Sequence, residues 1–251
     1  MNPIQSENKI LKISKLADEL KGSEIIKLAA DIRAKIAEGN QIYNYTIGDF
    51  DPAVFPIPTE LEKEIIKAYD QGQTNYPPSN GLEALRKELS VFMEKNQGLQ
   101  YAPSEFVIAG GGRPLIYAAY QILVDAGDKV IFPVPSWNNN HYTGLNRCKP
   151  ITIVTKPENN IMPTAGEIEP HLGDASLIAL CSPQNPTGTV FSKDELEKIC
   201  RLIVAENKRR EGVKKPLYLM FDQIYWQICF GDTVHYNPVS IVPEMRPYTI
   251  F

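Results

Sequence analysis

Apolar residues follow two regimes along this chain. Over roughly the first hundred residues they recur at helical spacing. Ile25, Leu28, Ala29, Ile32 and Ile36 mark a helical stretch over residues 14–39, broken near Gly22 and ended by Gly39-Asn40. A second helix is predicted from Thr59, with Thr59 and Glu62 as a capping-box pair and Leu61, Ile65, Ile66 and Tyr69 as its buried stripe. A third presents Leu82, Leu85, Leu89 and Phe92. Between these helices, residues 43–48 read as a short strand, 51–58 as a proline-rich stretch and 72–80 as a loop.

From residue 105 the pattern changes to continuous apolar runs separated by helical segments. The runs at 106–109, 129–134, 152–155, 176–181 and 217–221 are strand-sized. Gly110-Gly-Gly112 breaks the first, and Pro114 suits the opening turn of a helix reaching about Val124. Ser192 and Glu195 form another capping-box pair, at the start of the helix that follows Cys181. This alternation argues for an α/β fold: a mostly parallel sheet covered by helices on both faces. Ligands of such sheets bind beyond the carboxyl ends of the strands, so residues placed just after strands carry the most information. The final four residues, 248–251, are apolar and strand-like with no polar tail, and the ending reads as a cut through a larger protein.

Composition narrows the function classes. The 251 residues, 43% hydrophobic, suffice for one large core or for one domain with part of another. The net charge is -4, with 26 basic and 30 acidic residues and no basic block, which points to neither nucleic acid nor anionic lipid as a partner. Cys148, Cys181, Cys200 and Cys229 are widely spaced without a CxxC, as expected of reduced core cysteines rather than a disulfide frame or zinc site. Residues 1–9 lack an apolar run, so neither a signal peptide nor a membrane span is expected, and a cytoplasmic location follows by default. His141, His171 and His235 lack metal-ligand spacing and read as structural or surface residues; only His141, four residues after Trp137, falls near a strand end.

Three strand-end segments can carry chemistry. Gly110-Gly-Gly-Arg113 precedes a helix, and it reads either as a phosphate cradle or as a tight structural turn. It matches neither the Walker nor the Rossmann glycine spacing. Ser182-Pro-Gln-Asn-Pro-Thr-Gly188 is a stiffened loop in which Asn185 offers a donor and an acceptor, toward a ligand or toward its own turn. Asp222 follows four apolar residues, where an unpaired carboxylate is costly and a cation, a metal or several donors are needed. A protonated heteroaromatic nitrogen is one such cation, and Tyr225 can donate to a ring oxygen from the same side. The alternative makes Asp222 a cap and Tyr225 a packing residue.

Asn185-Pro-Thr-Gly188 together with Asp222-x-x-Tyr225, both at strand ends, resembles the aspartate aminotransferase superfamily, the class I and II group of fold-type I pyridoxal-phosphate enzymes. Tyr45-x-x-Gly48, Asn75-Tyr-Pro-Pro-x-x-Gly81-Leu, Gly110-Gly-Gly112, Gly127-Asp128 and Pro135-Ser-Trp137 agree in order and place. The resemblance implies the three-layer α/β/α large domain of that group over residues 48–251, with residues 1–47 forming an arm and a first piece of the small domain. It implies pyridoxal 5'-phosphate as cofactor, amino-acid and 2-oxo-acid substrates, and a homodimer with shared active sites. Gly111, Gly112 and Arg113 would then hold the cofactor phosphate, and Trp137 would stack on its ring. Asn185 and Tyr225 would bind the ring oxygen, and Asp222 the protonated ring nitrogen. Tyr76 would reach the phosphate of the neighbouring subunit, and Gly48 and Asn185 would contact substrate. Catalytic roles fall to Asp222 and Tyr225.

The departures shape the expectation. The family's anchoring lysine sits in a Ser-x-x-Lys or similar motif after the strand that residues 248–251 begin; no such motif is present, and Lys214 and Lys215 precede Asp222. The chain is therefore expected to be inactive alone, while the whole protein transfers amino groups. A lyase or decarboxylase on the same scaffold, and a non-catalytic cofactor-binding regulatory domain, are the alternatives. Gly112-Arg113-Pro114 is unusual for the group, and Ser136 stands where relatives often carry an aromatic.

Overall fold

The computed structural model describes residues 13–18, 24–46, 48 and 50–251. The expected break at Gly22, the start of the expected arm (residues 1–12), Ile47 and the Ile25 side chain lie outside the described residues. The chain divides into two compact units, residues 1–76 and 77–251.

The first unit contains helices α1 (Lys15–Asp18), α2 (Glu24–Ala37) and α3 (Thr59–Asp70). Gly39, at φ 91°, ends the α2 segment as the sequence suggested. Residues 43–46 and 48 are not in a strand, and Tyr43 and Tyr45 are largely exposed. A strand requires a paired neighbour, which an apolar run alone does not supply. α3 starts where expected but without its capping box. Pro58 is the N-cap, and its carbonyl accepts from the Glu62 N–H at 3.0 Å, so Thr59 is already helical. Its apolar stripe is also not buried: Leu61, Ile65, Ile66 and Tyr69 are all exposed.

The second unit runs α4 (Glu83–Gln97), α5 (Gly112–Leu123), β1 (Lys129–Val134), α6 (Asn139–Leu145), β2 (Lys149–Val154), α7 (Ala165–Ile168), β3 (Ala175–Cys181), α8 (Lys193–Arg210), β4 (Tyr218–Asp222), α9 (Pro238–Ile241) and β5 (Thr249–Ile250). The five strands form one parallel sheet in the order β2-β1-β3-β4-β5. Successive side chains alternate between two cores. Ile131, Ile178, Leu180, Leu219 and Phe221 pack with α7, α8 and α9 on one face. Val130, Phe132, Leu177, Ala179 and Met220 pack with α5 and α6 on the other. β3 is buried along its whole length, as a central strand between two helical layers must be. Its order also creates a switch point: the chain leaves β1 toward β2, then returns past β1 to β3, opening a crevice at the carboxyl ends of β1 and β3. Among the described residues no helix is long and apolar enough to cross a membrane.

The run at 106–109 forms no strand. Ile108 donates to the Asn80 carbonyl at 3.1 Å, a single bond where a ladder needs a series, and Val107 is exposed. That bond brings Ile108 against Gly81, which has φ 94°; a Cβ there would stand 2.4 Å from Ile108 Cβ. Gly81→Ala is therefore expected to destabilise the unit by roughly 2–4 kcal/mol through backbone strain and overpacking. Denaturant unfolding checks this against Gly98→Ala, where φ is 66° but nothing lies within 4 Å, and the Gly81 variant is expected to lose more.

Candidate active site

Parallel strands place all their carboxyl ends on one edge, and four segments converge there. β1 ends in Pro135-Ser136-Trp137, β3 in residues 182–188, and β4 in Asp222 itself. In the β3–β4 register Cys181 pairs with Asp222, and the ladder continues one step as Ser182 N–H donates to the Asp222 carbonyl at 2.9 Å. The loops after β1 and β3 are tied across the switch point: Gln184 donates its side-chain amide to the Pro135 carbonyl at 2.8 Å.

Asp222 is half-buried. Among the described residues its carboxylate accepts from the Ile224 N–H at 3.0 Å, and burial raises its pKa above the ordinary carboxylate value despite that bond. The carboxylate thus braces a turn rather than capping a helix, and one backbone donor does not offset its desolvation. A cationic partner would. Cys181 beside it stays a thiol: burial, then the Asp222 charge, pushes its pKa up to about 12. Asn185 and Tyr225, forty residues apart in sequence, meet through an Asn185 amide bond to the Tyr225 hydroxyl at 3.0 Å. The sequence paired these residues only by motif; the fold puts their polar atoms in contact.

The fourth segment is the start of α5. Gly111, at φ 119° and ψ 169°, is the N-cap, and no side chain caps the helix. Open space surrounds the positions where Cβ atoms would stand on Gly110, Gly111 and Gly112. Uncapped amides with bare backbone form an anion-binding surface, since they carry the positive end of the helix dipole. Arg113 adds a full charge, its guanidinium 5.7 Å from the centre of the Trp137 ring. The glycine segment is thereby joined to the β1 loop. On the inner side Asn139 bridges Ser136 and Tyr120, with bonds of 3.3 and 3.1 Å.

Sequence reading passed over two residues at this edge. Gln184, 2% exposed, clamps the loops, and its place between two prolines was the available signal. Tyr142 is buried in α6, and its pKa is raised by burial while the charges of Arg113 and Asp222 act on it in opposite senses. Both charges therefore lie within electrostatic reach of one phenol. His141, flagged for its proximity to Trp137, is the half-buried neighbour of that tyrosine. Tyr76 and Gly48 belong to the other unit; Tyr76 is fully exposed and Gly48 has open space around it. A cavity of about 570 Å³ lies elsewhere, around Met162, Ser192 and Tyr236, and none of the candidate site residues lines it.

The donor set fits a phosphorylated, nitrogen-protonated heteroaromatic ligand. It comprises a half-buried carboxylate seeking a cation, an amide–phenol pair whose phenol lies three residues on, an indole, and an uncapped glycine-rich helix start.

Residues 42–249 match the model of the family described as aminotransferase class I and II. The aspartate aminotransferase of Geobacillus stearothermophilus is 26% identical over 242 residues, covering 96% of this chain and 58% of the relative. A probable aspartate/prephenate aminotransferase of Aquifex aeolicus is 25% identical over 236 residues, covering 92% and 56%. Among solved structures, the Thermus thermophilus aspartate aminotransferase with maleate superposes with a TM-score of 0.81 at 26% identity, covering 96% of this chain and 59% of that one. The Rhizobium meliloti enzyme gives 0.84 at 23% identity, covering 95% and 57%, a likeness of fold. The chain thus spans less than three fifths of the length of these relatives.

Proposed function

This chain belongs to the class I and II aminotransferase family, and from that premise we propose that it is the cofactor-binding part of an enzyme transferring an amino group between an L-amino acid and a 2-oxo acid with pyridoxal 5'-phosphate. The observation that carries the reading is Asp222: a half-buried carboxylate with a raised pKa, beside the Asn185–Tyr225 pair, at the carboxyl edge of a parallel sheet. Relatives named as aspartate aminotransferases make aspartate the first amino donor to assay.

Each residue then has a physical task. Gly111 and Gly112 present backbone amides to the cofactor phosphate, and Arg113 neutralises its charge. Trp137 covers one face of the ring and keeps water from it. Asn185 and Tyr225 donate to the ring oxygen, and Asp222 holds the proton on the ring nitrogen by favouring its charged form. When bound, the protonated ring supplies an electron sink for the charge developed at the substrate Cα. Asn185 also contacts the substrate. Tyr76, carried on the stiff Asn75-Tyr-Pro-Pro78 segment and fully exposed, reaches the phosphate in a neighbouring copy, which makes the active unit a homodimer.

Titration of the 251-residue chain with pyridoxamine 5'-phosphate, followed by tryptophan fluorescence, tests the reading; this probe has no aldehyde to react with surface lysines. Saturable binding with quenching of Trp137, competed by inorganic phosphate, is expected. Gly111→Val puts a side chain into the cradle at a positive φ and is expected to weaken binding about tenfold or more, the loss of one or two charge-assisted bonds. Absence of saturable binding in the folded wild-type chain would overturn the assignment.

A further inference from the structure

Immediately behind the strand-end loop lies a buried polar network that the roles above leave unused. Gln223, the residue after Asp222, is 9% exposed. Its side-chain oxygen lies 3.0 Å from Asn237 Nδ2 and 3.1 Å from His235 Nε2, and its nitrogen 3.4 Å from Gln97 Oε1. The bond directions follow from one fixed donor. The Val239 N–H donates to Asn237 Oδ1 at 2.8 Å, so Asn237 Nδ2 is the amino group and the Gln223 atom facing it is the carbonyl oxygen. An amide oxygen only accepts, so His235 must carry its proton on Nε2. Gln223 Nε2 then donates to Gln97, the last residue of α4, whose backbone carbonyl is bonded by Ser240 at 2.9 Å. One side chain thus ties the β4 loop to the end of α4, to His235 and to the cap of α9.

The network is sealed rather than solvated. Trp226 packs edge-on against Phe92 and tilted against His235, which also lies over Phe221. Asn237 is 3% exposed, and the outer atoms His235 Nδ1 and Gln97 Nε2 are buried without partners among the described residues. Buried amides tolerate little rotation, because every alternative orientation leaves more polar atoms unpaired. Gln223 is one peptide link from Asp222 and two from Tyr225, so its orientation constrains both.

We infer that Gln223 is a positioning residue: its buried amide fixes the loop that aims the Asp222 carboxylate and the Tyr225 hydroxyl at the ring of the bound cofactor. The inference rests on the proposed cofactor site. It assigns the network a role that neither packing nor cofactor contact requires, and it separates Gln223 from the exposed Ile224 beside it, which is 71% accessible.

The test compares Gln223→Met, which keeps length but loses every polar bond, with Gln223→Glu, which keeps the acceptor for His235 and Asn237. Each full chain is titrated with pyridoxamine 5'-phosphate labelled with 15N in the ring, and the ring-nitrogen shift reports whether Asp222 still holds it protonated. Gln223→Met is expected to weaken binding about tenfold and to move the bound ring toward its unprotonated shift, with Gln223→Glu restoring the wild-type shift only in part, since it keeps the bonds from Asn237 and His235 but loses the donor to Gln97. A merely structural role would lower the melting temperature of Gln223→Met while leaving the shift of the bound ring unchanged, and that result overturns the inference. If Gln223→Met does not fold, Gln97→Met decides: removing the far acceptor should move the shift in the same direction, and an unchanged shift refutes the role. Asp222→Ala separates the two claims. If it binds the probe as the wild type does, the cofactor assignment fails; if it binds poorly while Gln223→Met matches wild type, only the positioning claim fails.

Discussion

Replacing Asp222 with asparagine is expected to stabilise the ligand-free chain at pH 7 and to weaken its binding of pyridoxamine 5'-phosphate by about a hundredfold or more. The two effects share one cause. Burial raises the Asp222 pKa in the folded chain above its ordinary value, so between the unfolded and folded values the native state binds more protons than the unfolded state. Stability then falls as pH rises through that window, and the penalty is in place above it. Asparagine keeps an oxygen for the Ile224 N–H, which now spans 3.0 Å, and removes the charge that makes burial costly. Thermal unfolding from pH 3 to 7 should show the variant melting higher at pH 7 and a shallower decline with rising pH. Binding moves oppositely, because breaking a buried charge pair costs about 3–5 kcal/mol, a hundredfold to several thousandfold in affinity. A variant that melts lower than wild type at pH 7 would make Asp222 a structural brace. One that binds equally well would remove it from the cofactor site.

The sheet was legible because buried parallel strands announce themselves. The run at 129–134 is β1 residue for residue, and 176–181 and 217–221 fall within one residue of β3 and β4. With the strand ends located, Trp137, Asn185 and Asp222 fell on one edge without further information, whereas Gly111 was read as following a strand at 106–109 that does not form and is instead the N-cap of α5. Segments 43–48 and 106–109 failed for a physical reason: strand-like composition states what a segment can pair with, not whether a neighbour is in register. The α3 stripe failed similarly, since helical periodicity identifies an apolar face but not what covers it. Thr59 shows the limit for caps. Its spacing to Glu62 fits a capping box, but Pro58 already supplies the extended residue before the helix, with φ -53° and ψ 133°. Ser192 shows the converse: it caps α8 through the Glu195 N–H, while the Glu195 carboxylate reaches thirty residues back to the Ala165 N–H at 2.6 Å. Tyr142 and the Gln223 network were silent because isolated polar residues carry no periodic signal, and the network's bonds span up to 143 positions.

The largest stability loss is expected at the opposite edge of the sheet, from a residue that looks in sequence like an ordinary charged helix end. Arg210, in the last turn of α8, is 2% exposed and pairs with Glu206 at 2.6 Å. Its remaining donors reach the carbonyls of Leu172 at 2.5 Å, Ala175 at 2.8 Å and Lys215 at 3.2 Å. Ala175 opens β3 and Lys215 precedes β4, so one guanidinium stitches α8 to the amino ends of two central strands. A neighbouring bond from Arg209, then Arg210 itself, holds the Glu206 carboxyl below its usual range. Arg210→Ala would remove the bonds to three carbonyls, leaving that of Leu172 with the Ala175 N–H, and would leave Glu206 with Arg209 alone, inside a layer closed over by Leu172 and Leu217. Breaking a buried pair from one side costs about 3–5 kcal/mol, a large part of the roughly 5–15 kcal/mol that holds a domain folded. Lysine cannot reproduce the planar fork, so Arg210→Lys should recover little of the loss. Urea unfolding measures both. Because the bonds lie at the amino ends of strands whose carboxyl ends carry Asn185 and Asp222, the folded fraction of Arg210→Lys is expected to bind pyridoxamine 5'-phosphate with wild-type affinity. A loss under about 1 kcal/mol for Arg210→Ala would show that packing of α8, rather than this network, holds the amino edge together.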